Sequence, residues 1–101
     1  LEHRRQRQMC IRDRFSAYPN PFNSSVSIKF RMPNKELVDI TIFNILGEMV
    51  RVLAEKEYKF GDNIIRWDGK DNRGRDLSTG VYFCNFKSKN YQKSMKLLLV
   101  K

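Results

Sequence analysis

A chain of 101 residues, 41% hydrophobic and 12% aromatic, can bury one modest core, so a single domain is expected. It holds no run of 18 or more apolar residues and no basic segment leading into an apolar one, which excludes a helical membrane span and an N-terminal signal peptide within these residues. The net charge of +9 raises the question of a nucleic-acid partner, but residues 1–14 carry five Arg against Glu2 and Asp13, and the +6 that remains is scattered singly from Phe15 onward. A solvated basic surface is favoured over a nucleic-acid site.

Residues 1–14, LEHRRQRQMCIRDR, have no apolar periodicity and differ sharply in composition from the rest of the chain. Residues 9–14 resemble the translation of a transposase-type sequencing adapter. Residues 1–17 are therefore expected to be a disordered prefix, an assembly artefact or a basic linker, and the folded domain is expected to span residues 18–101. Tyr18-Pro19-Asn20-Pro21-Phe22-Asn23 forces an extended, turn-prone lead-in clamped by Tyr18 and Phe22. Val26, Ile28 and Phe30 then alternate with polar residues, the period of a half-buried strand.

A second strand is predicted from about Leu37 to Asn44, with Val38, Ile40 and Ile42 on one face. Asn44-Ile45-Leu46-Gly47-Glu48 is a tight connection in which Gly47 takes the left-handed position, and Met49 to Ala54 returns as a strand. A helix over 44–59 is rejected for its β-branched content and for Gly47. A charged bend at Glu55-Lys56-Glu57 is expected to precede a short strand over Tyr58–Phe60. In the next strand Asn63, Ile65 and Trp67 face one way. From Trp67 to Phe86 the chain reads as a strand end, a long polar hairpin loop and a new strand. Gly69, Gly74 and Gly80 there can take positive φ, and Asp68, Asp71, Asn72 and Asp76 can close Asx turns. Tyr82, Cys84 and Phe86 alternate inward, a short turn at Ser88-Lys89-Asn90 comes next, and the last strand runs from Tyr91 to Val100. Six to seven antiparallel strands without a useful helix predict an all-β, immunoglobulin-like sandwich.

The chemistry-bearing residues are few. His3 is the lone histidine, and Cys10 and Cys84 lack metal-ligand spacing, with Cys84 placed as a buried thiol. No catalytic residue, cofactor or metal site is expected. The oxygen donors Asp68, Asp71, Asn72 and Asp76 around Gly74 fit no EF-hand loop, so Asx turns are favoured over calcium. Asp68 and Asp71 on one turn make a poor glycosidase pair. Trp67 and Tyr82 are expected in the core. An outward patch of Phe43, Phe83 and Tyr91 is the feature that would favour a carbohydrate-binding module.

The order of Pro19-Asn20-Pro21-Phe22, Asn44-Ile45-Leu46-Gly47, Trp67-Asp68-Gly69 with Gly74, Gly80-Val81-Tyr82, and a Lys-rich apolar last strand resembles the type A C-terminal sorting domain of type IX secretion cargo. The sandwich of that domain is similar to the Ig-like domain of flagellar hook-capping proteins. The resemblance covers Tyr18 to Lys101 and implies a non-catalytic address label that directs a covalently attached upstream cargo through the outer membrane. The implied partners are the outer-membrane secretion machinery and its sorting peptidase. The implied route is the periplasm in transit and then the cell surface or the extracellular space, with no nucleic acid and no membrane insertion. The other reading is an Ig-like structural or adhesive module, of hook-cap or carbohydrate-binding type. Leu97, Leu98, Leu99 and Val100 are apolar on both faces of the last strand, more than a half-buried edge needs. That strand, ending in Lys101, is expected to be the element read by the machinery, by adding to a receptor sheet, with Lys93, Lys96 and Lys101 setting recognition.

Overall fold

The computed structural model describes residues 15–89 and 91–101. They form seven strands: β1 Phe15–Tyr18, β2 Val26–Met32, β3 Glu36–Phe43, β4 Met49–Tyr58, β5 Gly61–Trp67, β6 Gly80–Ser88 and β7 Tyr91–Leu99. All strand pairs are antiparallel, in a three-stranded sheet of order β1-β2-β5 and a four-stranded sheet of order β4-β3-β6-β7. This is the immunoglobulin-like all-β sandwich expected from the alternation.

The core lies where the inward faces of the two sheets meet. Val26, Ile28, Phe30 and Met32 of β2 are buried, as are Val38, Ile40 and Ile42 of β3 and Tyr82, Cys84 and Phe86 of β6. Period-2 placement puts each set on one side of its strand, and no polar or charged side chain among the described residues is buried. Two irregularities shift the β3–β4 register. Ile40 opposes Ala54 while Thr41 opposes Val52, and Ile42 opposes Arg51 while Phe43 opposes Met49. Leu53 and Val50 are thus the extra residues of β-bulges, and both pack against the core.

Four sequence expectations need correction. The fold begins before residue 18, because β1 starts at Phe15, whose ring is buried 5.1 Å from that of Phe86. The neighbouring Arg-rich run hides this short strand. The rest of the proposed prefix, residues 1–14, falls outside the described residues. Glu55-Lys56-Glu57 is no bend: β4 continues through it to Tyr58, opposite Asp39 to Glu36. A charged edge strand needs few apolar residues, and here Lys35 sits 3.7 Å from Glu57 and the Lys56 ammonium lies 5.1 Å from the centre of the Tyr58 ring. The separate strand over 58–60 does not exist. Nor is Trp67–Gly80 a hairpin loop, since β5 and β6 belong to different sheets and the loop crosses between them.

Cys84 is buried, and desolvation pushes its thiol up to about 12 from an ordinary value of 9.0. Below about pH 9 the thiol is neutral in both folded and unfolded chains. Between there and about pH 12 only the unfolded chain releases the proton, so stability falls with rising pH. The parent is expected to lose more stability than Cys84→Ala when urea unfolding is compared at pH 8 and pH 10.5. Equal losses in the two proteins would show that the thiol is not shielded.

Candidate recognition surface

The loop from Trp67 to Gly80 is built inward from one ring. Trp67 is fully buried, its ring centre 5.5 Å from Phe22 and 5.7 Å from Tyr82, and its indole N–H donates to the Lys70 carbonyl at 3.0 Å. Turning the chain back over the indole takes Gly69 at φ +73, and a Cβ there would rest 3.8 Å from Leu99 and Phe22. Asp68 accepts the Lys70 N–H and takes the Arg51 guanidinium at 3.0 Å. Asp71 accepts the N–H groups of Arg73 and Arg75. The Arg75 N–H, then that of Arg73 and the Arg75 guanidinium, hold its carboxyl below the usual range despite some desolvation. Gly74 completes that turn at φ +79, whereas Gly80 has ordinary negative φ and simply opens β6.

Asn72 acts at longer range than an Asx turn. Its N–H donates to the Val50 carbonyl and its side-chain oxygen accepts the Val52 N–H, both at 3.0 Å, so the loop covers the outer edge of β4. Asp76 pairs with Lys70 at 3.4 Å and Lys101 at 3.8 Å. Tyr82 donates its hydroxyl to the Ser78 carbonyl at 2.7 Å. The carboxylates of the loop are thereby spent on backbone turns and ion pairs. Among the described residues no three His, Cys, Asp or Glu side chains come together as a metal site.

The segment Pro19-Asn20-Pro21-Phe22 has a role that its sequence conceals. Both X–Pro bonds are cis, and the segment lies along the outer edge of β7. The Phe22 N–H donates to the Leu98 carbonyl at 2.9 Å, and the Val100 N–H donates to the Phe22 carbonyl at 2.8 Å. Asn20 fills the gap left by two residues that lack an N–H. Its side-chain NH2 donates to the Lys96 carbonyl and its oxygen accepts the Leu98 N–H, at 2.9 and 3.0 Å. Phe22 is buried, but Tyr18 is 73% exposed, so only one half of the expected aromatic clamp closes.

This clasp decides what the last strand can present. Leu97 and Leu99 are fully buried, so these two predicted recognition residues belong to the core. Leu98 is half-buried, while Lys96, Val100 and Lys101 face solvent. The backbone edge from Lys96 to Val100 is already occupied by Asn20 and Phe22, which rules out strand addition along it. The Lys101 N–H is tied to the Thr79 hydroxyl at 2.9 Å. Lys93 points to the inner side of β7 and is half-buried. At the same end of the larger sheet Gly47, at φ +83, closes the β3–β4 hairpin with Asn44, which leaves Ile45 and Leu46 70% and 78% exposed. Phe43 and Phe83 oppose each other on the outer face of the larger sheet, but Tyr91 lies inward against Phe86, so the three make no single patch.

The family model described as secretion system C-terminal sorting domain matches residues 16–101. No curated protein sequence matches the chain. Among solved structures it is similar to PorZ of Porphyromonas gingivalis, an essential bacterial surface component of the type IX secretion system, with a TM-score of 0.63 and 17% identity over 90% of this chain and 12% of that one. It is similar to latent PorU of the same organism, with a TM-score of 0.66 and 21% identity over 85% of this chain and 9% of that one. A third similar structure is FlgD from P. aeruginosa, with a TM-score of 0.59 and 20% identity over 73% of this chain and 57% of that one. The chain thus spans about a tenth of the length of PorZ and PorU. At these identities the structural likeness is one of fold.

Proposed function

The chain belongs to the family of secretion system C-terminal sorting domains, and from that premise we propose how its surface is used in type IX export. The domain is a C-terminal sorting signal of the type IX secretion system, a reading that the family match and the two type IX neighbours favour over a structural or adhesive module. Its cargo lies upstream on the same polypeptide and travels through the periplasm to the cell surface or the extracellular space. The outer-membrane machinery and its sorting peptidase are the partners, and the domain itself contributes no catalysis.

The observation that carries the surface assignment is the clasp of Asn20 and Phe22 on β7. It holds Lys96, Leu98, Val100 and Lys101 in a fixed row while Leu97 and Leu99 anchor that row from beneath. Recognition through these side chains replaces strand addition at this stretch, because the hydrogen-bonding groups are already used. Pro19 and Pro21 contribute by fixing the backbone of the clasp, and Trp67, Gly69 and Tyr82 by supporting it from the core.

The test fuses residues 15–101 to a periplasm-directed reporter in a host with a type IX system. Reporter is expected outside the cells in that host, and retained in the periplasm when the domain is removed or the system is disabled. Export that does not depend on the system would overturn the assignment.

A further inference from the structure

The clasp covers only half of the β7 edge. The β6–β7 register is regular from Gly80–Leu99 to Ser88–Tyr91, so the backbone groups of Gln92, Ser94 and Lys96 point to the same outer side as those of Leu98. Among the described residues, nothing bonds to the outer-edge backbone groups of Gln92 and Ser94 or to the Lys96 N–H. This leaves about 14 Å of open strand edge. On the opposite sheet β1 is also an edge, paired to β2 alone. Phe15 and Tyr91 line one cavity of about 290 Å³ at the end of this seam, whose floor is the aromatic group of Phe30 and Phe86. The β1 and β7 edges therefore flank a seam that is closed at the clasp and open toward the cavity.

Two polar groups give the seam a chemical preference. Lys93 is half-buried on the inward side of β7, opposite Phe86, and has no acidic partner among the described residues. The Glu36 Oε1 atom, on a residue lining the cavity, is buried and accepts no hydrogen bond. Such groups in a closed interface would be costly, and each asks for a counterpart: a carboxylate near Lys93 and an N–H donor near Glu36.

We propose that this seam accepts an extended polypeptide segment from a partner protein that carries an aliphatic and an acidic residue two positions apart, on the same face of the strand, as Tyr91 and Lys93 are on β7. The segment adds as a strand to β7 along Gln92–Lys96, sets an aliphatic side chain in the Phe15–Tyr91 cavity, and brings a carboxylate to Lys93. Backbone pairing supplies affinity, and the cavity and Lys93 supply selectivity. The inference concerns the open half of β7 and does not rest on the sorting assignment, which concerns the clasped half.

The test uses the 101-residue chain, 15N-labelled, with two end-blocked Thr-based octapeptides that carry one central Val, flanked two positions away on either side by Glu in the first and by Lys in the second. The Val–Glu peptide is expected to shift the amides of Gln92, Ser94 and Lys96 and to slow their hydrogen exchange, with the Val–Lys peptide binding at least about tenfold more weakly. Lys93→Gln is expected to narrow that gap, and added salt to weaken the Val–Glu peptide in the parent, a readout that survives if the variant folds poorly. Four results would overturn the proposal: no shift at millimolar peptide, equal binding of both peptides, shifts confined to another surface, or edge amides already protected in the free chain. Protection that grows with protein concentration would overturn it too, by assigning the edge to a second copy.

Discussion

Trp67→Ala is expected to cost about 3–5 kcal/mol of folding stability, the range for deleting a fully enclosed aromatic side chain. The loss has three parts. The indole fills the space between Phe22 and Tyr82, its N–H satisfies the Lys70 carbonyl, and its plane seats the loop that carries Gly69 over Leu99. A small domain has about 5–15 kcal/mol in total, so this one change takes a large share of it. Urea unfolding reads the loss as a lower midpoint at unchanged slope. Trp67→Phe is expected to cost less, because it keeps one ring in the site while removing the N–H bond together with the volume of the second ring. An unchanged midpoint for Trp67→Ala would mean that the indole is not part of the core.

The burial of Trp67 is legible because β5 alternates cleanly, with Ile65 and Trp67 sharing a side. The same holds for β2, β3 and β6, whose inward residues each repeat at period 2. Legibility fails where a structure depends on a distant partner. Glu55-Lys56-Glu57 looks like a bend locally and becomes strand only through its pairing with β3. β1 has four residues, too few for a period to emerge beside an Arg-rich run. The Trp67–Gly80 turn chemistry is readable in Asp68, Asp71 and Gly69, whereas the sheet change it accomplishes is not. Nor does any local pattern reveal that Asn20 substitutes for two missing backbone donors on a strand 76 residues away. The one local hint is an Asn between prolines, a side chain that both donates and accepts where its neighbours can do only one.

The candidate surface divides along the same line. Leu97 to Val100 reads as an apolar run, and a run does not say which residues face the core. The clasp fixes the answer: odd positions inward, even positions outward.

That division leads to opposite expectations for neighbouring residues of the last strand. Leu99→Ala is expected to cost about 2–5 kcal/mol, since Leu99 is fully buried beneath Gly69 and beside Phe22 and its removal leaves a cavity that the clasp and loop cannot close. Val100→Ser combined with Lys101→Ala is expected to change stability by only about 0.5 kcal/mol: Val100 is 44% exposed, its N–H bond to Phe22 is main-chain, and the Lys101–Asp76 pair at 3.8 Å is solvent-exposed. In the reporter fusion both variants are expected to reduce export, for different reasons that the purified domains resolve. The Leu99 variant loses export in step with its lower urea midpoint, and the Val100/Lys101 variant loses it with the midpoint intact. Full export of the Val100/Lys101 variant would show that the outward row is not what the machinery reads. Full export of a Leu99 variant that is unfolded in urea-free buffer would show that the folded sandwich is not required at all.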